Sequence, residues 1–158
     1  MDIYISPTHG PLSLSQVRDK VLEFMKNGPD FKYSLVIGSD SEPREEGDTE
    51  FVTAFVIRRI GAGGVYFWKR TVGKKKYVFR TRIYEEATLS LMAANEFLDT
   101  FKNDGISKFD LEIHVDIGEF GKTREMLSEI IGMVRGSGFN IKTKPYSYGA
   151  SKIADRHT

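Results

Sequence analysis

The chain contains the segment Tyr33-Ser34-Leu35-Val36-Ile37-Gly38-Ser39-Asp40, from which the order of the remaining elements can be worked out. A short apolar run with β-branched residues, preceded by Gly28-Pro29 and followed by a polar segment at 42–48, is typical of a buried strand. Asp40 ends that run or interrupts it. Because ligands usually bind at the carboxyl ends of strands in open α/β sheets, this placement makes Asp40 the first candidate for a functional side chain.

Two further strands follow directly along the chain. Residues 51–60 and 65–72 are rich in β-branched and aromatic side chains, and Gly61-Ala62-Gly63-Gly64 between them predicts a hairpin turn. Before the strand predicted at 33–40, serine caps and an apolar stripe predict a helix over 13–27.

Helices and strands alternate in the rest of the chain. Apolar side chains at helical spacing predict a long helix, and alternating apolar and polar side chains predict a strand after it. The predicted elements are a helix over 83–103, a strand over 109–117, a helix over 121–135, a strand over 140–144 and a short helix over 151–157.

The predicted order is helix, three strands, helix, strand, helix, strand, helix. A meander of three strands followed by alternating helices and strands predicts an α/β fold with a mixed five-stranded sheet, helices on both faces and an additional N-terminal helix. The length of 158 residues suits one domain. We expect a single domain over 1–158, with an N-terminal extension and helix in 1–30 and the core in 31–158.

Four acidic residues fall on separate elements that this topology brings together. Asp40 and Asp116 end the first and fourth strands, which lie about 5 Å apart if they are parallel neighbours, so a proton or a cation is needed between the two carboxylates. In the first turn of the long helix, Glu86 lies about 80° from the centre of the apolar face, whereas Glu85 lies almost opposite it. Asp155 lies on the last helix. Taken singly, each of these acids also suits an ordinary capping or turn role.

Three motifs carry a resemblance to a known family. The stretch Ile37-Gly38-Ser39-Asp40-Ser41-Glu42 resembles the first-strand signature of RNase H-like proteins. Asp116-Ile117-Gly118 and the ending Ala150-Ser151-Lys152-Ile153-Ala154-Asp155-Arg156-His157-Thr158 resemble, more narrowly, the bacterial YkuK-type branch. The resemblance implies an RNase H-like fold, nuclease activity, and catalytic, metal-binding roles for Asp40, Glu86, Asp116 and Asp155.

Oxygen ligands without sulfur favour Mg²⁺ or Mn²⁺ as the metal. The resemblance implies two ions bridged by Asp40, with Glu86 and Asp116 completing one ion and Asp155 helping the other. His157 is a candidate for proton transfer or phosphate contact, and a mobile histidine near the chain end is an equally good interpretation. Lys122 is a second auxiliary candidate, because a lysine at the predicted start of a helix can contact an anion.

The partner expected for such a site is nucleic acid, whether RNA, DNA or a hybrid. The net charge of +1 creates no global attraction for it. From Lys69 to Arg82, however, the chain has no acidic residue, and this basic block either holds a phosphate backbone or forms a solvated strand edge. Its members are Lys69, Arg70, Lys74, Lys75, Lys76, Arg80 and Arg82.

The composition excludes several classes of function. The chain has no cysteine, so disulfides, thiolate zinc sites and cysteine nucleophiles are excluded. We see no signal peptide and no apolar run near the ~20 residues of a membrane helix, and we expect a cytoplasmic protein without membrane contact. The alternative to a nuclease is a catalytically silent RNase H-like module that binds nucleic acid or a protein partner. The sequence predicts no oligomeric state.

Overall fold

The computed structural model describes residues 2–119, 121–144 and 150–158, without the side chains of Phe109, Ala150, Ser151, Lys152 and Asp155. The strands within these residues are β1 (Tyr4–Ser6), β2 (Gly10–Leu12), β3 (Tyr33–Pro43), β4 (Thr49–Arg59), β5 (Gly64–Gly73), β6 (Leu111–His114) and β7 (Asn140–Lys142). They form one mixed sheet in the order β2-β1-β5-β4-β3-β6-β7. β3 pairs with β6, and β6 with β7, in parallel, and the other neighbours are antiparallel.

The predicted five-stranded sheet is wrong by two strands, because β1 and β2 extend it to seven within the described residues. β1 joins the edge of the sheet through Ile5 opposite Trp68, and Tyr4 is fully buried with its ring 5.4 Å from that of Phe55. β1 and β2 have three residues each, and Pro7, Gly10 and Pro11 in and between them are typical of turns and not of strands. Only packing against β5 and the core reveals them.

Helices cover both faces of the sheet, as predicted. Alternating residues of β3 separate the two faces: Leu35 and Ile37 pack with the first three helices, whereas Val36 packs with Ala154 of the last helix. The helices are α1 (Leu14–Lys26), α2 (Phe79–Phe101), α3 (Leu127–Gly136) and α4 (Ala150–His157). Ser13 and Gln16 form a capping box at the start of α1. Among the described helices, none is both long and apolar enough to cross a lipid bilayer.

Several element boundaries differ from the prediction. α2 begins at Phe79 rather than at residue 83, so Glu86 is its eighth residue and the expected place in the first turn is wrong. A 3-10 turn at Arg124–Met126 precedes α3, so Lys122 is not at the start of that helix. The beginning of α2 was missed because its first turn contains one apolar residue, Phe79, followed by Arg80, Thr81 and Arg82, and the denser apolar stripe starts at Ile83.

The two strands that matter most for the site also differ in length. β3 continues through the polar residues Ser41 and Glu42, because they pair with Phe51 and Glu50 of β4. Asp40 therefore lies inside the strand. β6 ends at His114, so Asp116 lies two residues beyond the strand instead of ending it.

Candidate active site

The site lies where β3 and β6 cease to pair. The predicted parallel pairing of these strands is confirmed, and its last pair is Gly38 opposite His114. Asp40 and Asp116 each follow that pair by two residues, so both occupy the same register position at the carboxyl edge of the sheet. Both side chains are partly exposed. This is the edge at which α/β sheets usually bind ligands.

Glu86 reaches this edge from α2. Its side chain is buried, and Ser41 of β3 donates a hydrogen bond to its Oε2. Burial raises the pKa of Glu86 to about 8; the Ser41 hydrogen bond and the charge of Arg82 oppose the rise, and the charges of Asp40 and Asp116 add to it. Three of the four predicted acids thus share one electrostatic environment.

The neighbouring Glu85 is only partly buried. This difference in burial agrees with the helical angle that selects Glu86 over Glu85.

A cluster of hydroxyl groups holds α2 against the sheet next to Glu86. The Ser39 Oγ lies 2.9 Å from the Thr53 Oγ1 and 2.8 Å from the Ser90 Oγ, and all three side chains are buried. Ser90 is one helical turn beyond Glu86, so the cluster fixes the height at which the carboxylate meets β3. Sequence reasoning missed these residues, because serine and threonine show no pattern that identifies their partners.

The fourth predicted acid, Asp155, lies on α4, and its side chain is outside the described residues. The end of this helix does reach the site, since the Thr158 Oγ1 donates a hydrogen bond of 3.2 Å to the Asp40 Oδ2. Four separate elements or their ends, β3, α2, the segment after β6, and α4, therefore meet at this edge.

The last helix is attached to the sheet through His157. Its imidazole stacks on Trp68 with ring centres 4.4 Å apart and planes 13° from parallel, and its Nε2 lies 3.2 Å from the Tyr66 hydroxyl. Arg70 donates a 2.9 Å hydrogen bond to the His157 carbonyl. Burial, together with the charges of Arg156 and Arg70, lowers the pKa of His157. These contacts give His157 an anchoring role; proton transfer or phosphate contact by this residue remains a prediction.

A lysine that sequence reasoning missed lies beside Asp116. The Lys144 Nζ is 3.4 Å from the Asp116 Oδ1. β7 pairs in parallel with β6, Lys142 lies opposite His114, and the Lys144 amide donates to the Ile117 carbonyl at 2.7 Å. The sequence contains no signal for this contact, because it depends on the register of β7 against β6, which places residue 144 next to 116.

The basic block does not form one surface. Lys69 and Arg70 alternate along β5 and so lie on opposite faces of the sheet. Arg70 pairs with the buried Glu50, which also pairs with Arg44. Lys69 lies 3.1 Å from Asp2, Lys74 4.0 Å from Asp48, and Arg80 3.3 Å from Glu129. Ion pairs with Lys75, Lys76 and Arg82 are not found among the described residues. A backbone-binding role for the block remains a prediction.

The donor set of the site fits a hard divalent cation. Its acids offer oxygen ligands, and none of the ion pairs among the described residues includes the buried Glu86. Such a carboxylate is costly in its charged form, and a divalent cation would stabilise that form. Within the described part of the chain, no group of three or more acidic or histidine side chains is already arranged to hold an ion. The Mg²⁺ or Mn²⁺ site therefore remains a prediction.

Comparisons with known proteins agree with the fold and with the motifs. A family model described as Ribonuclease H-like matches residues 16–158. A protein of Bacillus subtilis (strain 168) named "Uncharacterized protein YkuK" is 28% identical to this chain over an alignment 168 positions long, which includes 99% of this chain and 96% of that protein. No solved structure matches the chain. The resemblance carried by the three motifs is thereby confirmed.

The burial of Glu86 makes the stability of the metal-free protein depend on pH. The pKa of Glu86 is about 8 in the folded chain against a usual 4.5, so the folded state binds the proton more tightly. The stabilising contribution is complete below the usual pKa and is lost as the pH rises toward 8. We expect the free energy of unfolding, measured by urea denaturation in EDTA, to fall by on the order of 3 kcal/mol between about pH 4.5 and 7 from this group.

The matched controls for this titration are Glu86→Gln and Glu85→Gln. The first variant stays neutral and should lose this part of the pH dependence, whereas the second should retain it. A Glu86→Gln profile parallel to that of the wild type would show that the Glu86 carboxyl is hydrated and ionised in the folded protein.

The anchoring of α4 gives a second prediction. Trp68→Ala removes the ring on which His157 stacks, so amide hydrogen exchange within 150–158 should accelerate by about two- to tenfold, because an aromatic pair contributes about 0.5–1.5 kcal/mol. Exchange in α2 should not change. Tyr66→Phe removes only a hydroxyl and should have the smaller effect. Unchanged exchange in α4 of Trp68→Ala would rule out anchoring through this stack.

Proposed function

Because the chain belongs to the ribonuclease H-like family, we propose that it is a metal-dependent nuclease that hydrolyses phosphodiester bonds of nucleic acid. The observation that carries the proposal is the burial of Glu86 beside Asp40 and Asp116 at the carboxyl edge of the sheet. Burying an acid next to two like charges lowers the stability of the folded protein. Proteins retain such arrangements at functional sites.

In this proposal Asp40, Glu86 and Asp116 hold Mg²⁺ or Mn²⁺, and Asp155 on α4 adds a fourth ligand. Two bound ions would supply an activated water and stabilise the leaving oxygen. The chain positions its ligands through neighbouring hydroxyls: Ser41 orients the Glu86 carboxylate and Thr158 that of Asp40.

Lys144 contributes a charge of its own to the proposed reaction. Its ammonium group neutralises Asp116, and it is half exposed, so it also offers a positive charge to an incoming phosphate. The proposed role of Lys144 is to hold the scissile region of the backbone beside the carboxylates.

One observation favours the second candidate, a catalytically silent module. The Lys144–Asp116 ion pair supplies a protein cation where a metal ion would otherwise neutralise the acid. In a silent module this lysine would replace the metal, and Lys144→Met would destabilise the fold. In a nuclease, Lys144→Met would leave the acids in place for the metal and tighten metal binding.

The proposed activity is tested by cleavage with Mg²⁺ or Mn²⁺ across single-stranded, duplex, hybrid and branched substrates. We expect Asp40→Asn and Glu86→Gln each to lower the cleavage rate by at least about a hundredfold, because ligands of one catalytic unit fail together. Glu85→Gln, on the adjacent and less buried position, should cleave like the wild type. Equal losses in Glu85→Gln and Glu86→Gln would assign the effect to the helix and not to the carboxylate.

Metal binding is measured separately from cleavage. A cation at about 100 times its dissociation constant should raise the melting temperature of the wild type by about 5–10 °C, because it binds only the folded chain. Asp40→Asn should lose most of this gain. If neither metal changes the melting temperature of the wild type and the wild type cuts no substrate, the silent module becomes the better assignment.

A further inference from the structure

The start of α2 presents an aromatic ring to solvent between two cations. Phe79 is 38% exposed, and the preceding Val78 is 71% exposed. The Arg82 guanidinium carbon lies 5.6 Å from the centre of the Phe79 ring, and the Lys122 Nζ lies 5.8 Å from it. Single exposed apolar residues are common on protein surfaces, but a ring flanked by two positive charges has the composition of a nucleic-acid contact.

This ring lies on the same side of α2 as the candidate active site. Phe79, Arg82 and Glu86 are spaced i, i+3 and i+7, so they follow one face of the helix, and Phe79 precedes Glu86 by about 10 Å along the axis. Lys122 comes from the segment that follows Asp116. Arg82 thus lies on the helix that carries Glu86, and Lys122 lies in the chain six residues after Asp116.

The charges of Arg82 and Lys122 are not neutralised by ion pairs with acids among the described residues. The Arg82 Nε is also buried without a hydrogen-bond partner in that part of the chain. Arg80, two residues before Arg82, differs from both in its ion pair with Glu129 at 3.3 Å. Arg82 and Lys122 therefore retain positive charge for an anionic ligand, whereas Arg80 is already engaged.

We propose that Phe79, flanked by Arg82 and Lys122, is a stacking platform for an unpaired base of single-stranded nucleic acid that enters the candidate active site. Inside a duplex both faces of each base are covered by its neighbours, so an exposed ring can stack only on an unpaired or terminal base. The cations contact the phosphates on either side of that base. The inference rests on the proposed function, because it names the substrate class of the same site.

The test measures binding with cleavage blocked. Fluorescence anisotropy in EDTA compares a labelled single strand of DNA, the same sequence as RNA, the blunt duplex, and an abasic strand of equal length. The wild type should bind either single strand more tightly than the duplex. Phe79→Ala should weaken binding of the base-carrying strands by about tenfold and of the abasic strand by less than about twofold, because only stacking is lost.

Matched variants separate stacking from charge and from folding. Phe79→Leu keeps an apolar side chain and should behave like Phe79→Ala, whereas Phe79→Tyr should restore binding. Met92→Ala removes another exposed apolar side chain of α2 and should change nothing. Lys122→Ala should weaken binding to base-carrying and abasic strands alike and lower the salt slope by about 0.7, as expected for one phosphate contact to a single strand. Arg80→Ala should weaken binding less than Lys122→Ala does.

Equal losses on normal and abasic strands in Phe79→Ala, or equal affinity of the wild type for single strand and duplex, would overturn the stacking platform. Absence of binding to all four oligonucleotides would overturn it as well. The two proposals fail separately. If the wild type cleaves nucleic acid and Phe79→Ala binds it normally, only the stacking platform is refuted. If binding depends on Phe79 but the wild type cleaves no substrate with either metal, only the nuclease is refuted.

Discussion

The parallel pairing of β3 with β6 is the constraint on which the candidate active site depends. It ends at Gly38 opposite His114. The two segments that follow carry Asp40 and Asp116 at equivalent positions, where pairing between β3 and β6 does not continue among the described residues. Antiparallel pairing with β4 continues on the other side of β3 and keeps Asp40 in an ordered strand. The edge is therefore rigid on one side and open on the other, which suits a site that must admit a ligand.

The burial of Glu86 is the main energetic cost of this arrangement. Glu86 is 5% exposed, and its burial and the charges of Asp40 and Asp116 make ionisation of its carboxyl group unfavourable. Packing next to the site offsets this cost. The Ser39–Thr53–Ser90 hydroxyl cluster and the apolar face of α2 hold the helix against the sheet. Stability is thus supplied by packing while the charged groups stay available for chemistry.

Some basic residues are held in ion pairs that support the fold, and others are available to an anionic ligand. This division does not follow their order in the chain. Arg70 is adjacent to Lys69 but joins the buried Glu50 to the end of α4, so it supports the helix that carries Asp155. Arg82 and Lys122 lie 40 residues apart in sequence and meet at one ring. A local excess of charge therefore indicates little about a binding surface until the partners of each cation are known.

Sequence patterns were enough to predict the order of the core elements, the helices on both faces, and the positions of Asp40, Glu86 and Asp116 near one edge. These features follow from alternation and helical spacing, which are local patterns repeated over many residues. Tertiary packing was needed to define the two edge strands, the start of α2 at Phe79, the anchoring of His157, and the meeting of Lys144 with Asp116. The proline and glycine residues around the edge strands are typical of turns, and one apolar residue in the first turn of α2 is too little to mark a helix. Contacts between distant residues depend on strand register, which the packed core sets.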